Sequence, residues 1–499
     1  MGRARGSALV LLGGALASAA NCGDLTSCGA CAAASSWIGS CRWCPLAGDE
    51  GCHAFGSPED ACSTGQAITN ASGCAAALAP EQRHLAFAGA NGGAMAVAWN
   101  TVARAASAVE YGSSPDALVR RATGTTASYL ESFQHKVEVT GLEAASTYFY
   151  RVGDDGAWSA VGNFTTAKAV GAADFAPFTV GVVGDLGRRR YDGADTFDGL
   201  GRRSPLLDFV LHVGDVGYAD DTYLHDPLKF EYEEAYDEYM REIEGAFGAS
   251  VPYMVLPGNH ESECHSPACV VAPLTRGKGL NNFSAFNARF DMPSRPSGGS
   301  ASMWYSFDHG PLHVVAINTE TDYPGSPGDS YYPFLRTGGF CDGVQCGDWT
   351  GWLAADLAAV DRKRTPWVIV AGHRPIFSVK LVDKKTFSPI DDNAVLQAAL
   401  ASMFAEYKVD LYLCAHEHAY ERQRPINGTT HVLTGCGGND EGHSDYEDAV
   451  RDAPWNEFWS ASAFGHGELA VYSDTKMTWT QYDDATGAVL DTSDLLRNP

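Results

Sequence analysis

The chain has 499 residues, 45% hydrophobic and 19% charged, a balance that excludes a disordered protein and suggests roughly two to four folded domains. A formal net charge of -26 argues against nucleic acid or an anionic bilayer as the main partner, because phosphate backbones need Lys and Arg to release counterions. Small phosphate esters stay open, since bound cations would supply positive charge locally.

The first twenty residues read as a secretory signal peptide. Arg3 and Arg5 form a basic start, Ala8 to Leu12 begin an apolar run, and Ala17-Ser18-Ala19 is a small-residue cleavage site. The run is shorter than the roughly 18–20 residues of a membrane span, and Leu495 to Pro499 form no lipid-anchor tail. Fourteen cysteines and sequons at Asn70, Asn163, Asn282 and Asn427 fit an oxidising destination, secreted or extracellular/lumenal with the vacuole included.

Residues 21–75 hold Cys22, Cys28, Cys31, Cys41, Cys44, Cys52, Cys62 and Cys74. Cys28-Gly29-Ala30-Cys31 and Cys41-Arg42-Trp43-Cys44 have the form of two zinc half-sites, but an even count after a signal peptide favours disulfides. The Cys41-Arg42-Trp43-Cys44 core resembles the PSI module of plexins, semaphorins and integrins, which implies a rigid spacer or adhesion-type module.

Residues 76–168 carry short alternating strands at 94–99, 107–111, 133–139 and 148–152, the pattern of a β-sandwich. Gly141 to Tyr148 followed by Tyr150-Arg151-Val152-Gly153 resembles a fibronectin type III strand entry. A linker of mostly small residues, 167–173, leads into residues 169–499. There, apolar strands alternate with helical spacing at 230–243, 349–360 and 393–407, which predicts an α/β domain with helices outside. Strands at 430–434, 468–472 and 477–482, the last two in a hairpin, are expected to complete its second sheet.

Five strands of this domain end in candidate metal ligands. Residues 178–183 precede Gly184-Asp185-Leu186-Gly187, 209–213 precede Gly214-Asp215-Val216-Gly217-Tyr218, and 252–256 precede Gly258-Asn259-His260-Glu261. Residues 367–370 run towards Gly372-His373, and 409–414 towards Ala415-His416-Glu417-His418. Singly, an Asp after a strand is a turn residue and a His-x-His pair an exposed one. Together the five clusters are expected to converge on one sheet edge, where α/β sheets bind ligands. Two cations about 3.5–4 Å apart would suit such mixed oxygen and nitrogen donors.

Asp185-x-Gly187, Gly214-Asp215-x-x-Tyr218, Gly258-Asn259-His260-Glu261, Val370-x-x-His373 and His416-x-His418 resemble, in order and spacing, the five-block signature of the purple acid phosphatases. These are metallophosphoesterases of the calcineurin-like superfamily, and the resemblance spans about residues 80–490, as in plant-type two-domain members. It implies a four-layer α/β/β/α sandwich preceded by a fibronectin III-like β-sandwich and the small disulfide-rich module. It assigns Asp185, Tyr218 and His418 to a ferric ion, Asn259, His373 and His416 to a divalent ion (Fe, Zn or Mn), and Asp215 to a bridge between them. His260 would assist the leaving group or steady the phosphate during attack by a metal-activated hydroxide on a phosphate monoester.

One departure stands out. Plant-type members carry further histidines after the block that His373 matches, whereas Arg374 to Lys380 contain none. Lys380, His443 and His466 are candidate substitutes. Phosphodiester or nucleotide pyrophosphate hydrolysis with the same metals is the nearest alternative, decided by the loops 262–300 and 321–346, which Cys264/Cys269 and Cys341/Cys346 are expected to staple. A cell-surface binding protein working through its PSI-like and sandwich modules is the alternative from another class. The partners implied are small phosphate esters, with no nucleic acid and no transmembrane segment; a homo-oligomer and a protein partner of the PSI-like module stay open.

Overall fold

A computed structural model describes residues 41–45, 50–54, 67–89, 92–154, 157–171, 175–225, 231–262, 282–327, 348–447 and 449–497, with Cys22, Leu25, Cys28 and residues 30–33. The expected signal peptide, Cys264/Cys269 and Cys341/Cys346 lie outside them. The chain divides into two compact units, one up to Leu78 and one from Ala79 onward.

In the first unit, β1 (Cys41–Cys44) and β2 (Gly51–Ala54) form an antiparallel pair. Disulfides Cys22–Cys41, Cys28–Cys74 and Cys31–Cys52 tie it to neighbouring segments, and Cys44 is disulfide-bonded too. The described cysteines here are therefore cross-links and not zinc ligands.

The second unit begins with β3 (Glu81–Ala88), β4 (Ala94–Thr101), β5 (Ala108–Gly112), β6 (Arg120–Thr123), β7 (Thr125–Tyr129), β8 (Ser132–Thr140), β9 (Thr147–Asp154), β10 (Ala157–Trp158) and β11 (Gly162–Thr165). They build two antiparallel sheets, β3-β4-β8-β7 and β10-β9-β5-β6 with β11 beside β9. Every residue of β4 is buried, with Met95, Val97 and Trp99 on one face and alanines 94, 96 and 98 on the other. A strand covered on both faces needs that apolar run.

Two mixed sheets follow. The first takes β12 (Phe178–Val183), β13 (Leu207–Val213) and β14 (Tyr253–Leu256), mutually parallel in the order β14-β13-β12. The second contains β15 (Tyr305–His309), β16 (Leu312–Ala316), β17 (Trp367–Ala371), β18 (Leu411–Cys414), β19 (Tyr420–Gln423), β20 (Thr430–Thr434) and β21 (Asn456–Ser460), in the order β15-β16-β17-β18-β20-β19-β21. The C-terminal β22 (Gly467–Ser473), β23 (Lys476–Asp483) and β24 (Ala488–Leu496) extend the first sheet antiparallel to β12. Helices Ala194–Arg203, Tyr232–Ile243, Trp349–Ala359 and Asp391–Tyr407 accompany the strands; Asp348 caps the third by accepting from the Thr350 amide at 2.8 Å.

Two expectations need correction. The five ligand-bearing strands do not share one sheet: β12, β13 and β14 belong to the first, β17 and β18 to the second. The C-terminal strands divide likewise, β20 joining the second sheet and the β22–β23 hairpin the first. Near-continuous apolar runs look alike in either sheet, so they carry no information on which sheet a strand joins.

Candidate metal centre

The loops after the strands are tied together by backbone hydrogen bonds. The Asp185 amide donates to Gly214 O (3.1 Å), Gly217 N to Leu186 O (3.0 Å), Gly184 N to Thr434 O (3.1 Å), and Ala415 N to His373 O (2.8 Å). Loops from both sheets thus meet at one point. The turns are tight: Asp185, Asp215, Tyr218 and His416 have φ of 55°, 56°, 49° and 74°, the left-handed region that costs a non-glycine residue about 1–3 kcal/mol. Asp and His tolerate it better than most; Tyr218 does not, so the surrounding contacts must hold it there.

Each carboxylate is anchored by one oxygen and presents the other. Asp185 Oδ2 accepts from the His416 amide at 2.8 Å, while Oδ1 lies 3.0 Å from Tyr218 Oη and 3.6 Å from His418 Nε2. Asp215 Oδ1 accepts from the His260 amide at 3.0 Å, while Oδ2 lies 3.0 Å from His373 Nε2 and 3.5 Å from Tyr218 Oη. Tyr218 Oη is also 3.0 Å from His418 Nε2, and His373 Nε2 is 3.1 Å from Asn259 Oδ1. His416 groups with Asp215 and His373, their donor atoms within 4.8 Å of one another. All seven predicted ligands are therefore gathered in two sets, and Asp215 Oδ2 touches both.

The imidazoles are oriented from behind. His373 Nδ1 is 3.0 Å from Val213 O and His418 Nδ1 is 2.9 Å from Gly442 O, so each Nδ1 carries the proton and donates it, leaving Nε2 for the centre. Burial pushes His418 down to about 4 and His416 well below the usual range, the latter helped by Arg374. Burial, then Asp185 and Asp215, hold Tyr218 far above an ordinary phenol. Burial raises Asp185, with Asp215 adding to it; against burial, His373 and His260 keep Asp215 well below the carboxylate range.

These donors fit metal ions. Bonds of about 2.0–2.2 Å give ligand-to-ligand edges near 2.9–3.6 Å in tetrahedral or octahedral geometry. The edges Tyr218–Asp185, Tyr218–His418, Asp185–His418, Asp215–His373 and His373–Asn259 run from 3.0 to 3.6 Å. A buried phenol and two carboxylates in contact also need cationic charge to be ionised together.

His260 stands apart from the ligands. Its Nδ1 is 3.0 Å from both oxygens of Asp220, its ring centroid lies 4.3 Å from that of Tyr218, and its Nε2 is 3.9 Å from Asp215 Oδ2. Although burial disfavours the charge, Asp220, Asp215 and Asp221 raise its pKa well above the ordinary value. Sequence reasoning passed over Asp220 and Asp221, although an acidic pair directly beyond Tyr218 was a signal.

It also gave no role to Glu261, whose carboxylate accepts from the amides of Asp215 (3.0 Å), Val216 (2.8 Å) and Gly258 (2.8 Å). Burial, then Asp215, push this acid up to about 8. Gly258 must be glycine, because a Cβ there would sit 2.2 Å from Asp215 Oδ1. Gly187 makes room for the Asn439 backbone, which a Cβ would meet at 2.7 Å.

The suggested substitutes for the absent histidines each have a partner, and His443 Nδ1 lies 3.3 Å from His418 O. Lys380 pairs with Glu417 at 2.6 Å, His443 stacks on Phe464 at 3.8 Å, and His466 is buried against Asp484 at 2.6 Å. Arg374, directly after His373, was overlooked. Its guanidinium reaches His416 Nε2 at 3.0 Å.

Three family models match consecutive parts of the chain: a purple acid phosphatase N-terminal domain over residues 80–166, a calcineurin-like phosphoesterase over 178–420, and an iron/zinc purple acid phosphatase-like C-terminal model over 428–492. Acid phosphatase A of Cryphonectria parasitica is 31% identical, the match covering 84% of this chain and 92% of that protein. Human acid phosphatase type 7 is also 31% identical, covering 84% and 91%. The solved purple acid phosphatase from yellow lupin (Lupinus luteus) seeds superposes with a TM-score of 0.65 at 21% identity, over 84% of this chain and 75% of that one, which supports the fold. With full-length relatives above 30% identity and all three family models in order, the chain belongs to the purple acid phosphatase family.

Proposed function

We propose that the protein is a dinuclear-metal acid phosphatase that hydrolyses phosphate monoesters. The carrying observation is that Asp215 Oδ2 lies on an edge of both donor sets, 3.5 Å from Tyr218 Oη and 3.0 Å from His373 Nε2, as a bridging carboxylate requires. In this reading Asp185, Tyr218 and His418 hold Fe(III), for which a tyrosinate is a suitably hard ligand, and Asn259, His373 and His416 hold a divalent Fe, Zn or Mn. Bound there, the two ions supply Lewis-acid stabilisation of phosphate charge and acidify a water to make the nucleophile.

The chain's own residues do the rest. Asp220 holds the His260 Nδ1 proton, so that Nε2 faces the centre and hands its proton to the departing alcohol oxygen. Glu261 fixes the turns carrying Asp215 and Asn259 through three backbone amides. Val213 and Gly442 carbonyls keep the His373 and His418 lone pairs directed inward.

The domain reading that accompanies this function is a signal peptide over 1–20, a PSI-like module over 21–75, a fibronectin III-like sandwich over 76–168 and a four-layer catalytic domain over 169–499. The disulfides support a secreted or lumenal location. Among the described residues, no helix is long and apolar enough to cross a membrane.

The test is a comparison of chromogenic phosphate monoester and diester hydrolysis by protein of measured metal content. Preference for the monoester with two metals per chain is the expected result. A diester preference would transfer the proposal to phosphodiesters or nucleotide pyrophosphates, and an inactive, metal-free preparation would overturn it.

A further inference from the structure

A cleft of about 400 Å³, within the size range of a ligand pocket, opens between the last strand of the N-terminal sheets and the segments that lead into β13 and β14. Asn163, Thr165 and Lys168 line one wall, and Leu206, Asp208 and Pro252 line the other. Two contacts tie the walls together: Tyr150 Oη donates to Ala249 O at 2.8 Å, and Lys168 Nζ pairs with Asp208 Oδ2 at 3.0 Å. The cleft is at the Leu207 end of β13, whereas the metal donors follow its Val213 end, about 20 Å of strand away.

Asn163-Phe164-Thr165 is an N-glycosylation acceptor sequence, and the fold displays it as one. In β11, which pairs only with β9 among the described strands, successive side chains point to opposite faces. Phe164 is fully buried in the core, whereas Asn163 and Thr165 are exposed and both line the cleft. The opposite wall presents Leu206, 59% exposed, beside the Lys168–Asp208 ion pair. A sugar ring matches such a surface, because its C–H faces are apolar and its rim of hydroxyls is polar.

We propose that Asn163 carries an N-linked glycan whose first sugars occupy this cleft and cover Leu206. The disulfides of the first unit fit the oxidising compartment in which such a transfer takes place. There the Asn163 amide nitrogen bonds to the anomeric carbon of a lipid-linked oligosaccharyl diphosphate. The bond from that carbon to the diphosphate oxygen breaks, and the amide loses one proton as the lipid diphosphate departs. Tethered on one wall, the first sugars reach the other and bridge β11 to the segment ahead of β13. The glycan is thus a clamp between the N-terminal sheets and the domain that carries the metal donors.

The test uses full-length protein secreted from a eukaryotic host. Release by peptide N-glycosidase in 18O-labelled water should convert Asn163 to labelled aspartate, read by mass spectrometry of its peptide. Thr165→Ser, which keeps the acceptor sequence, should stay modified; Asn163→Gln and Thr165→Ala should not. Hydrogen exchange in residues 204–208 and 250–252 should be about tenfold slower in wild type and Thr165→Ser than in the two unmodified variants. Unmodified Asn163 in the secreted wild type would overturn the site. A modified Asn163 with no difference in exchange would put the glycan in solvent and overturn its seating in the cleft. Protection that survives enzymatic removal of the glycan would assign the difference to the substitutions themselves and overturn the clamp as well.

Discussion

Glu261 offers the sharpest test of how the centre is held. The residue is 3% exposed, and its Oε2 accepts from Asp215 N at 3.0 Å and Gly258 N at 2.8 Å, its Oε1 from Val216 N at 2.8 Å. Glu261→Ala leaves three buried amides without acceptors, each costing about 1–3 kcal/mol. Water entering the emptied volume recovers part of that sum, so the expected loss is about 3–5 kcal/mol. Glu261→Gln keeps one carbonyl oxygen for Asp215 and Gly258 but turns an NH2 towards the Val216 N–H, for an expected loss of about 1–3 kcal/mol. Urea unfolding of chelated, metal-free protein gives both values without a contribution from bound metal. Because the alanine loss approaches the whole stability of a typical domain, about 5–15 kcal/mol, the glutamine variant carries the measurement if the alanine protein does not fold. An alanine loss below about 1 kcal/mol with an unchanged denaturant slope would refute the bracing role.

Tyr218→Phe should abolish the visible tyrosinate-to-iron absorption band; a band of the same position and strength in that variant would remove Tyr218 from the iron ligands. Gly258→Ala should lose stoichiometric metal, because its Cβ would lie 2.2 Å from Asp215 Oδ1 and 2.7 Å from the Asp215 amide. Elemental analysis decides it, and full metal content would refute the packing constraint. His313 is held between Asp308 at 2.7 Å and Asp356 at 2.9 Å; burial opposes its charge, but these hydrogen bonds raise its pKa to about 9. Since that is above the unfolded value near 6.5, its contribution is complete below about pH 6.5 and is lost as pH rises through about 9. His313→Gln should flatten stability across that window, and an undiminished slope in the variant would assign it to other groups.

Local patterns carried much of the architecture. Phe178–Val183 and Thr430–Thr434 were legible with their bounds, because an apolar run between turn residues is a property of neighbours in sequence. The final hairpin was legible for the same reason. The strands Tyr305–His309, Tyr420–Gln423 and Asn456–Ser460 were not identified: polar residues such as Asp308, Glu421 and Asn456 interrupt the apolar pattern, and pairing with distant strands fixes them.

The same division runs through the centre. Sequence by itself singled out seven candidate ligands, because hard and borderline donors recur at five strand ends in an order and spacing that resemble the purple acid phosphatase signature. The tertiary structure decided that the strands belong to two sheets, that Asp215 Oδ2 lies between both donor sets, and that Glu261, Asp220, Glu320 and Arg374 surround them. Those relations join residues tens to hundreds of positions apart, where no local period operates. Only the closing of the chain brings the Arg374 guanidinium within 3.0 Å of His416 Nε2.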